Sequence, residues 1–405
     1  LLKAPVDLLW NGGIGTYVKS QHESHQDVGD RANDAIRVNG RELRARVVGE
    51  GGNLGCTQLG RIEYALMGAG GSGGRINTDA IDNSGGVHSS DREVNIKIAL
   101  NQLLRNGSLK QKARDALLEG MTEDVAKAVL RDSYVQSLAL SLIDQDASNR
   151  LEEHGEIMRV FEREAGLVRS VEGLPDDEQL AERRTRGRGL TRPESAVMLA
   201  YAKNALFDAL VASEVPDDPA FEPRLMQYFP PAMRDRHAKA ISEHRLRREI
   251  IATQLANQVV NRMGFAFVHR LADEQGQPPA TVIKAFAMAT MILDAPALFD
   301  PIDGLDLKVR ADTQLQLYGR VEGLLRHLTS WLLSAHWSAR PVGDAIKTFG
   351  APLGRLVEQL PNLLPEAYRE DWTRAATQWR ELGVPKALAT QMANTRVLGS
   401  APDII

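Results

Sequence analysis

Cysteine is almost absent from the 405-residue sequence, which has a single example, Cys56. One cysteine cannot form an internal disulfide, so apolar packing and hydrogen bonds must hold the fold together. Hydrophobic residues make up 43% of the chain, enough for one large core or two to three ordinary ones. Since low cysteine content is typical of reducing compartments, we expect a cytoplasmic protein.

Long apolar runs and a surplus of one charge are also missing. No run approaches the roughly 20 apolar residues that cross a bilayer, and the first residues lack the pattern of a secretion signal. The formal net charge of -4 gives no general attraction to nucleic-acid phosphates. His237 and His244 would lie roughly 10 Å apart along a helix, too far to share a metal ion. We expect no membrane, nucleic acid or metal, and a small molecule or a protein fits better.

The first hundred residues alternate short β-like runs with glycine-rich turns. Residues 6–10, which we interpret as a buried strand, lead into Asn11-Gly12-Gly13, and residues 45–48 lead into Gly49-Glu50-Gly51-Gly52-Asn53. Between them, the spacing over residues 27–36 predicts a helix. Strand, helix and strand predict a partial doubly wound, Rossmann-like α/β domain at residues 1–100, in which ligands bind beyond the carboxyl ends of the strands.

Beyond about residue 100, apolar residues recur at three- and four-residue spacing, and the pattern predicts a large all-α domain over residues 101–405. Proline, glycine and charge mark possible joints near 172–190 and 214–231. Thr191 and Glu194 fit a capping box that opens a helix, with Pro193 inside its first turn. Other helices are predicted at about 93–105, 121–146, 154–170, 244–263, 279–294, 308–336, 341–360, 364–381 and 384–394.

Two motifs have simple interpretations. Residues 68–73 match the dinucleotide fingerprint, but a helical pattern precedes them and a strand-like pattern follows, the reverse of the order that this motif requires. We therefore predict a flexible loop. The arginines between residues 183 and 192 form a basic run without interleaved aromatic residues, which favours a solvated loop or a subunit contact over phosphate binding.

Asparagine and serine side chains give the more informative pattern. Asn53 lies among glycines at the end of a predicted strand, and Asn83 is followed by two glycines and then by Ser90. Amide and hydroxyl groups can bind a polar ligand without repelling a negatively charged one. The alternative is that both asparagines are ordinary turn residues and that Ser90 caps a helix beginning near Glu93. The residues alone leave these interpretations open.

The same residues carry a family resemblance. Glu50-Gly51-Gly52-Asn53, together with Asn83-Ser84-Gly85-Gly86-Val87 and Ser90, resembles the closing part of the glutamate dehydrogenase catalytic core. The wider chain resembles the large bacterial NAD-specific glutamate dehydrogenases. The stretches that carry this wider likeness are residues 7–17, 27–34, 75–98, 189–194 and 246–254.

The resemblance implies oxidative deamination of L-glutamate to 2-oxoglutarate and ammonium, with NAD as hydride acceptor. It implies that Asn11, Gly12, Asn53 and Asn83 line the cofactor site. It also implies that Ser90 binds the side-chain carboxylate of glutamate. A homo-oligomer is expected.

The resemblance places the family's catalytic lysine and aspartate before Leu1. We therefore expect a carboxy-terminal fragment that has no catalytic residue of its own and is inactive alone. Two alternatives stay open. The chain could be a non-catalytic helical module for oligomerisation or regulation, or it could belong to a dehydrogenase of another amino acid.

Overall fold

The computed structural model describes residues 1–401, which are mainly helical and include two small parallel sheets. The strands are β1 (Leu8–Asn11), β2 (Val18–Lys19), β3 (Val38–Asn39), β4 (Val47–Glu50) and β5 (Arg75–Ile76). The helices are α1 (His25–Val28), α2 (Gln58–Met67), α3 (Asp79–Asp82), α4 (Ser84–Arg105), α5 (Gln111–Gly120), α6 (Thr122–Gln145), α7 (Leu151–Glu164), α8 (Arg169–Glu172), α9 (Asp177–Thr185), α10 (Arg192–Val211), α11 (Glu222–Tyr228), α12 (Pro231–Ser242), α13 (Arg247–Met263), α14 (Phe267–Gln275), α15 (Pro279–Ile292), α16 (Ala295–Asp303), α17 (Ala311–Ser334), α18 (Val342–Leu363), α19 (Glu366–Glu381) and α20 (Lys386–Asn394).

The larger sheet has three parallel strands in the order β1, β4, β5. Asn11, the last residue of β1, lies opposite Glu50, the last residue of β4. On the other side of β4, Arg75 of β5 lies opposite Val47. Parallel strands end at one common edge of a sheet, so the loops that follow β1, β4 and β5 lie together at that edge.

The first strand differs from the buried strand that its composition predicts. It begins at Leu8, and the side chains of Leu8 and Trp10 are more than half exposed, at 56% and 60%. Leu9 points to the opposite face, because side chains alternate along a strand, and it packs on the core. That core covers only one face of the sheet and consists of Val18, Leu43, Ala45, Val48, Cys56, Tyr64 and Ile76.

The helix predicted over residues 27–36 is wrong for most of that range. The range holds only the end of α1, which Gly29 caps with a φ of +76° that glycine adopts without strain, and a short 3-10 helix at Arg31–Asn33. The Asp30 carboxylate then accepts hydrogen bonds from the Thr16 amide and the Asn33 side chain. Asp30 itself has non-helical backbone angles, with a φ of -98° and a ψ of 79°, so the helix cannot continue through it.

The glycine-rich segment at residues 68–73 is a loop, as predicted. Helix α2 precedes it and strand β5 follows it, so no helix amino terminus faces its glycines. Gly70, Gly71 and Gly73 all have positive φ angles. The segment therefore reverses the chain direction between α2 and β5 and lacks the strand-to-helix order of a phosphate-binding turn.

The remaining chain is helical, as predicted. Helix α10 begins at Arg192, and the Glu194 carboxylate accepts the Thr191 amide at 2.7 Å, which is the reciprocal half of a capping box. Arg183 donates twice to the same carboxylate, at 2.7 Å each. The suggested joints contain helices of their own, α9 and α11, and α12 ends before His244, so His237 and His244 do not share a helix.

The chain divides into two compact units. The first comprises Leu1–Ala205, Pro223–Ile250 and Gly264–Ala266; the second comprises Leu206–Glu222, Ile251–Met263 and the chain from Phe267 onward. In the second unit, α15 is apolar all round, is almost wholly buried and packs on α17 and α18, as expected of a central core helix. No single helix within residues 1–401 has the length and hydropathy to cross a membrane; α15 and α16 meet that test only as a pair bent by 75°.

A buried histidine on α7 predicts acid sensitivity of the first unit. His154 is 1% exposed, its ring centre lies 4.7 Å from that of Phe265 with the rings tilted by 50°, and its Nδ1 has no hydrogen-bond partner. Burial, reinforced by Arg150, lowers the pKa of His154 to about 4, against the opposing charges of Glu153 and Asp146. Because the unfolded chain binds this proton more tightly, stability is lost as pH falls from about 6.5 towards 4.

We expect this histidine to contribute about 3 kcal/mol to the loss of unfolding free energy across that window. Urea denaturation at a series of pH values should show the loss, and His154→Phe, which keeps an aromatic ring against Phe265, should reduce it. An equal loss in the variant would show that other groups cause the acid sensitivity.

Candidate cofactor and substrate site

Three loops meet at the carboxyl edge of the larger sheet. The first follows Asn11 at the end of β1, the second runs from Gly51 to Gly55 after β4, and the third runs from Asn77 into α3 after β5. Asn11 ends β1, Gly12 and Asn53 lie in the first two loops, and Asn83 follows α3. The sheet thus brings to one edge residues that are far apart in the sequence.

The first two loops pack so closely that the second needs glycine. The Gly52 amide donates to the Asn11 carbonyl at 2.9 Å. A β-carbon on Gly52 would lie 2.4 Å from the Gly13 carbonyl oxygen, and one on Gly55 would lie 1.7 Å from Nδ2 of Asn11. The clash at Gly52 is with backbone, which cannot move aside, whereas the clash at Gly55 is with the end of the Asn11 side chain, which can; the close approach of the two loops therefore depends on glycine at position 52.

A buried ion pair holds the start of the second loop. Glu50 is fully buried, and Arg61 of α2 donates to both of its carboxylate oxygens, at 2.8 and 2.9 Å. Arg61 also lies 3.1 Å from a carboxylate oxygen of Asp79. Burial raises the pKa of the Glu50 carboxyl, and the hydrogen bonds and charge of Arg61 oppose that rise. The guanidinium thus links the second loop to α2 and α3.

Two carboxylates of the short helix α3 bind the backbone of the same loop. Asp82 accepts the Glu50 amide at 3.1 Å, and Asp79 accepts the Leu54 amide at 2.8 Å. Leu54 has a φ of +58°, an uncommon conformation for a residue with a side chain, and its hydrogen bond to Asp79 helps to maintain it. The loop is therefore fixed at both ends by α3, the helix that Asn83 follows.

The structure brings Asn53 and Asn83 into direct contact. Nδ2 of Asn83 donates to Oδ1 of Asn53 at 2.5 Å, across 30 positions of sequence. Asn53 is exposed and Asn83 is half-buried, so each amide keeps hydrogen-bonding capacity for another group. Gly12 is also exposed, in the neighbouring loop, and a β-carbon on the next residue, Gly13, would have no atom within 4 Å.

Ser90 lies on α4 rather than at a helix end. Because α4 begins at Ser84, the alternative that Ser90 caps a helix near Glu93 is wrong. Ser90 lies about two turns into α4, on one face of the helix and roughly 10 Å along its axis from Asn83, the residue that precedes the helix. That face is solvent-exposed and includes Val87, which is 72% exposed. The hydroxyl can therefore reach a ligand that extends from the asparagine pair.

Cys56 is close to this edge but is not a reactive thiol. It is 4% exposed and belongs to the core beneath the sheet. Burial, together with the nearby Glu50 carboxylate, raises the pKa of Cys56 well above its ordinary value. A thiol with a raised pKa carries little thiolate, which is the nucleophilic form. Among residues 1–401 there is also no group of three or more histidine, cysteine or carboxylate residues that could hold a metal ion.

Sequence reasoning missed the residues that position this site. Asp79 and Asp82 lie just before Asn83. Their spacing of three residues places both carboxylates in one helical turn, and that pattern could have been recognised in the sequence. Arg61 gave no local signal, because its partner Glu50 is on a strand and only the fold brings the two together.

A parallel sheet with loops of glycine and asparagine at its carboxyl edge is typical of α/β proteins that bind a ligand at that edge. Residues 187–405 match the family model described as glutamate dehydrogenase, C-terminal. Residues 1–143 match the model of the bacterial NAD-glutamate dehydrogenase catalytic domain. The chain belongs to the glutamate dehydrogenase family.

Curated relatives agree with the family models. The chain is 45% identical over its whole length to the NAD-specific glutamate dehydrogenase of Pseudomonas aeruginosa and covers 25% of that protein. It is 41% identical to the protein of the same name from Halomonas elongata, again covering 25%. It is 39% identical to that from Mycobacterium tuberculosis, covering 24%. The chain thus spans about a quarter of the length of the curated relatives it matches.

The close packing of the first two loops yields a testable difference between two glycines. Gly52→Ala should lower the free energy of unfolding by about 1–3 kcal/mol, because the new methyl group would collide with the Gly13 carbonyl. Gly13→Ala is the matched control: no atom lies within 4 Å of its β-carbon position, and we expect a change within about 0.5 kcal/mol. Urea denaturation measures both, and equal effects would contradict the packing described.

Proposed function

We propose that this chain forms the cofactor and carboxylate wall of the active site of an NAD-dependent glutamate dehydrogenase. The proposed reaction is the oxidative deamination of L-glutamate to 2-oxoglutarate and ammonium. One observation carries the proposal: the Asn53 and Asn83 amides meet at the carboxyl edge of a parallel sheet, and the exposed Ser90 lies two turns into the helix that follows Asn83. Membership of the glutamate dehydrogenase family supports it.

The loops at this edge fit a dinucleotide. We infer that residues 1–100 are the closing part of a doubly wound, Rossmann-like NAD-binding core, and that residues 101–405 form a helical domain. Exposed glycine backbone at Gly12 lets a ligand approach the main chain closely, and the amides of Asn11, Asn53 and Asn83 offer both donors and acceptors. These four residues are the proposed cofactor contacts.

A dicarboxylic amino acid fits the exposed face of α4. The hydroxyl of Ser90 can donate to a carboxylate oxygen, whereas an apolar side chain would need an apolar contact there. The two acidic groups nearest to the asparagines do not oppose an anion strongly, because Asp79 and Asp82 already accept backbone amides and pair with Arg61 and Asn77. The proposed substrate is therefore glutamate.

The role proposed for these residues is binding and orientation. NAD held at Asn11, Gly12, Asn53 and Asn83 would supply the hydride acceptor for oxidation of glutamate at its α-carbon, and addition of water to the resulting imine would give 2-oxoglutarate and ammonium. Asn83 and Ser90 would hold the substrate at two points, and Asn53 would fix the side chain of Asn83. Holding two reactants in one geometry accounts for a large part of the rate of such a transfer. We assign no catalytic residue within this chain and propose that the enzyme is a homo-oligomer.

Substitution of Ser90 separates glutamate from another amino acid as the substrate. In the full-length enzyme, Ser90→Ala should raise KM for glutamate about tenfold, the factor expected for losing one hydrogen bond to a charged group, and leave KM for NAD unchanged. The matched control is Ser89→Ala, because the Ser89 hydroxyl donates to the carbonyls of Gly85 and Gly86 within α4. An unchanged KM for glutamate in Ser90→Ala would point to a different amino-acid substrate.

A further inference from the structure

The first turn of α10 contacts the residues that hold the second loop. Nε of Arg192 donates to Oδ1 of Asn77 at 2.9 Å, and Nδ2 of Asn77 donates to Asp82 at 2.7 Å. Asp82 in turn accepts the Glu50 amide at 3.1 Å. An unbroken series of hydrogen bonds therefore runs from α10 to the residue at which the loop begins.

A second series starts from the next residue of the same turn. Nε2 of Gln58 donates to the Pro193 carbonyl at 3.3 Å, and Oε1 of Gln58 accepts from Arg61 at 3.4 Å. Arg61 holds the Glu50 carboxylate. The two series thus converge on Glu50, one through its backbone and the other through its side chain.

Arg192 is built into this position rather than exposed to solvent. Its side chain is 13% exposed, and its terminal nitrogens lie 3.2 Å from the Ser141 hydroxyl and 3.5 Å from the Ser137 carbonyl, both on α6. Burial lowers the pKa of Arg192, against the opposing charge of Asp144 at 3.9 Å. The buried guanidinium donates hydrogen bonds to Asn77 and to α6, and it therefore holds Asn77 and α6 in a fixed arrangement with α10.

The other arginines of the basic run have different roles. Arg183 binds the Glu194 carboxylate, and Arg186 pairs with Glu182 on its own helix. Arg188 is exposed and lies outside the contacts described above. Within the basic run, Arg192 is the arginine that bonds to Asn77, in the segment between β5 and α3.

We propose that Arg192 is a positioning residue for the cofactor-binding loop, acting through Asn77 and Asp82 on the backbone of Glu50. This inference rests on the proposed function, because it takes the loop at residues 51–55 to be a wall of the NAD site. It assigns to the helical part of the chain a direct share in the geometry of that site. Arg192 does not touch the reacting groups itself.

The experiment uses the full-length enzyme with Arg192→Met, Asn77→Ala and the double variant. Arg192→Met should raise KM for NAD about tenfold, with a smaller change in kcat, since it loosens a loop without removing a reacting group. Because both residues act in one series, the double variant should be no worse than the more damaged single variant. Arg188→Met is the matched control and should behave like the wild type. Multiplying effects in the double variant would overturn the proposal.

Hydrogen exchange separates this inference from the proposed function, because it needs no activity. In Arg192→Met, backbone amides in the peptide covering residues 50–54 should exchange faster than in the wild type and in Arg188→Met. Unchanged exchange would refute the positioning role even in an active glutamate dehydrogenase. Faster exchange in a protein that does not oxidise glutamate with NAD would support the positioning role of Arg192 and refute the proposed function. If Arg192→Met does not fold, Asn77→Ala and Arg192→Lys, which keeps the charge but lacks the planar guanidinium that reaches Asn77 and α6 together, should show the same faster exchange, and unchanged exchange in both would refute the positioning role.

Discussion

The buried pair of Glu50 and Arg61 is the interaction on which this edge of the molecule depends. Glu50 is the last residue of β4, so its position decides where the following loop starts. An ion pair with so little access to water adds little net stability compared with well-packed apolar residues, but loss of one partner leaves a buried charge and costs about 3–5 kcal/mol. The pair is better understood as a constraint on geometry, because Arg61 can satisfy Glu50 and Asp79 together only when α2, α3 and the loop are in place.

Whether a feature of the fold or of the site could be predicted depends on how far apart in the sequence the interacting residues lie. Local patterns identified the long helices, the parallel strands and the loop nature of residues 68–73, since periodicity and glycine content act over a few neighbours. They also picked out Asn53 and Asn83, but not their contact, because pairing depends on strand order. The exposure of Trp10 escaped prediction because composition indicates an apolar strand without telling which faces are covered. The roles of Arg61 and Arg192 were not predicted either, because their hydrogen-bond partners are distant in the sequence.

The family models divide the chain differently from its contacts. One model ends at residue 143 and the other begins at residue 187, whereas the first compact unit continues to Ala205. Arg192, Pro193 and Glu194 lie in the region of the second model, yet two of them bond to residues matched by the first. A family boundary marks where sequence similarity changes, and the folded unit need not end there. Cutting the chain at the start of the second family model would therefore also remove hydrogen bonds made to residues 1–143.

In the proposed site, helix α4 would set a fixed distance between the two ends of a bound ligand. Asn83 immediately precedes the helix and Ser90 lies two turns into it, so neither can move relative to the other unless the helix itself unwinds. The interval between them is set by backbone hydrogen bonds and is independent of the side chains at either end. A change of side chain at position 90 would thus alter which chemical group is accepted at one end while the other end stays in register. In such an arrangement ligand length and ligand chemistry can evolve separately.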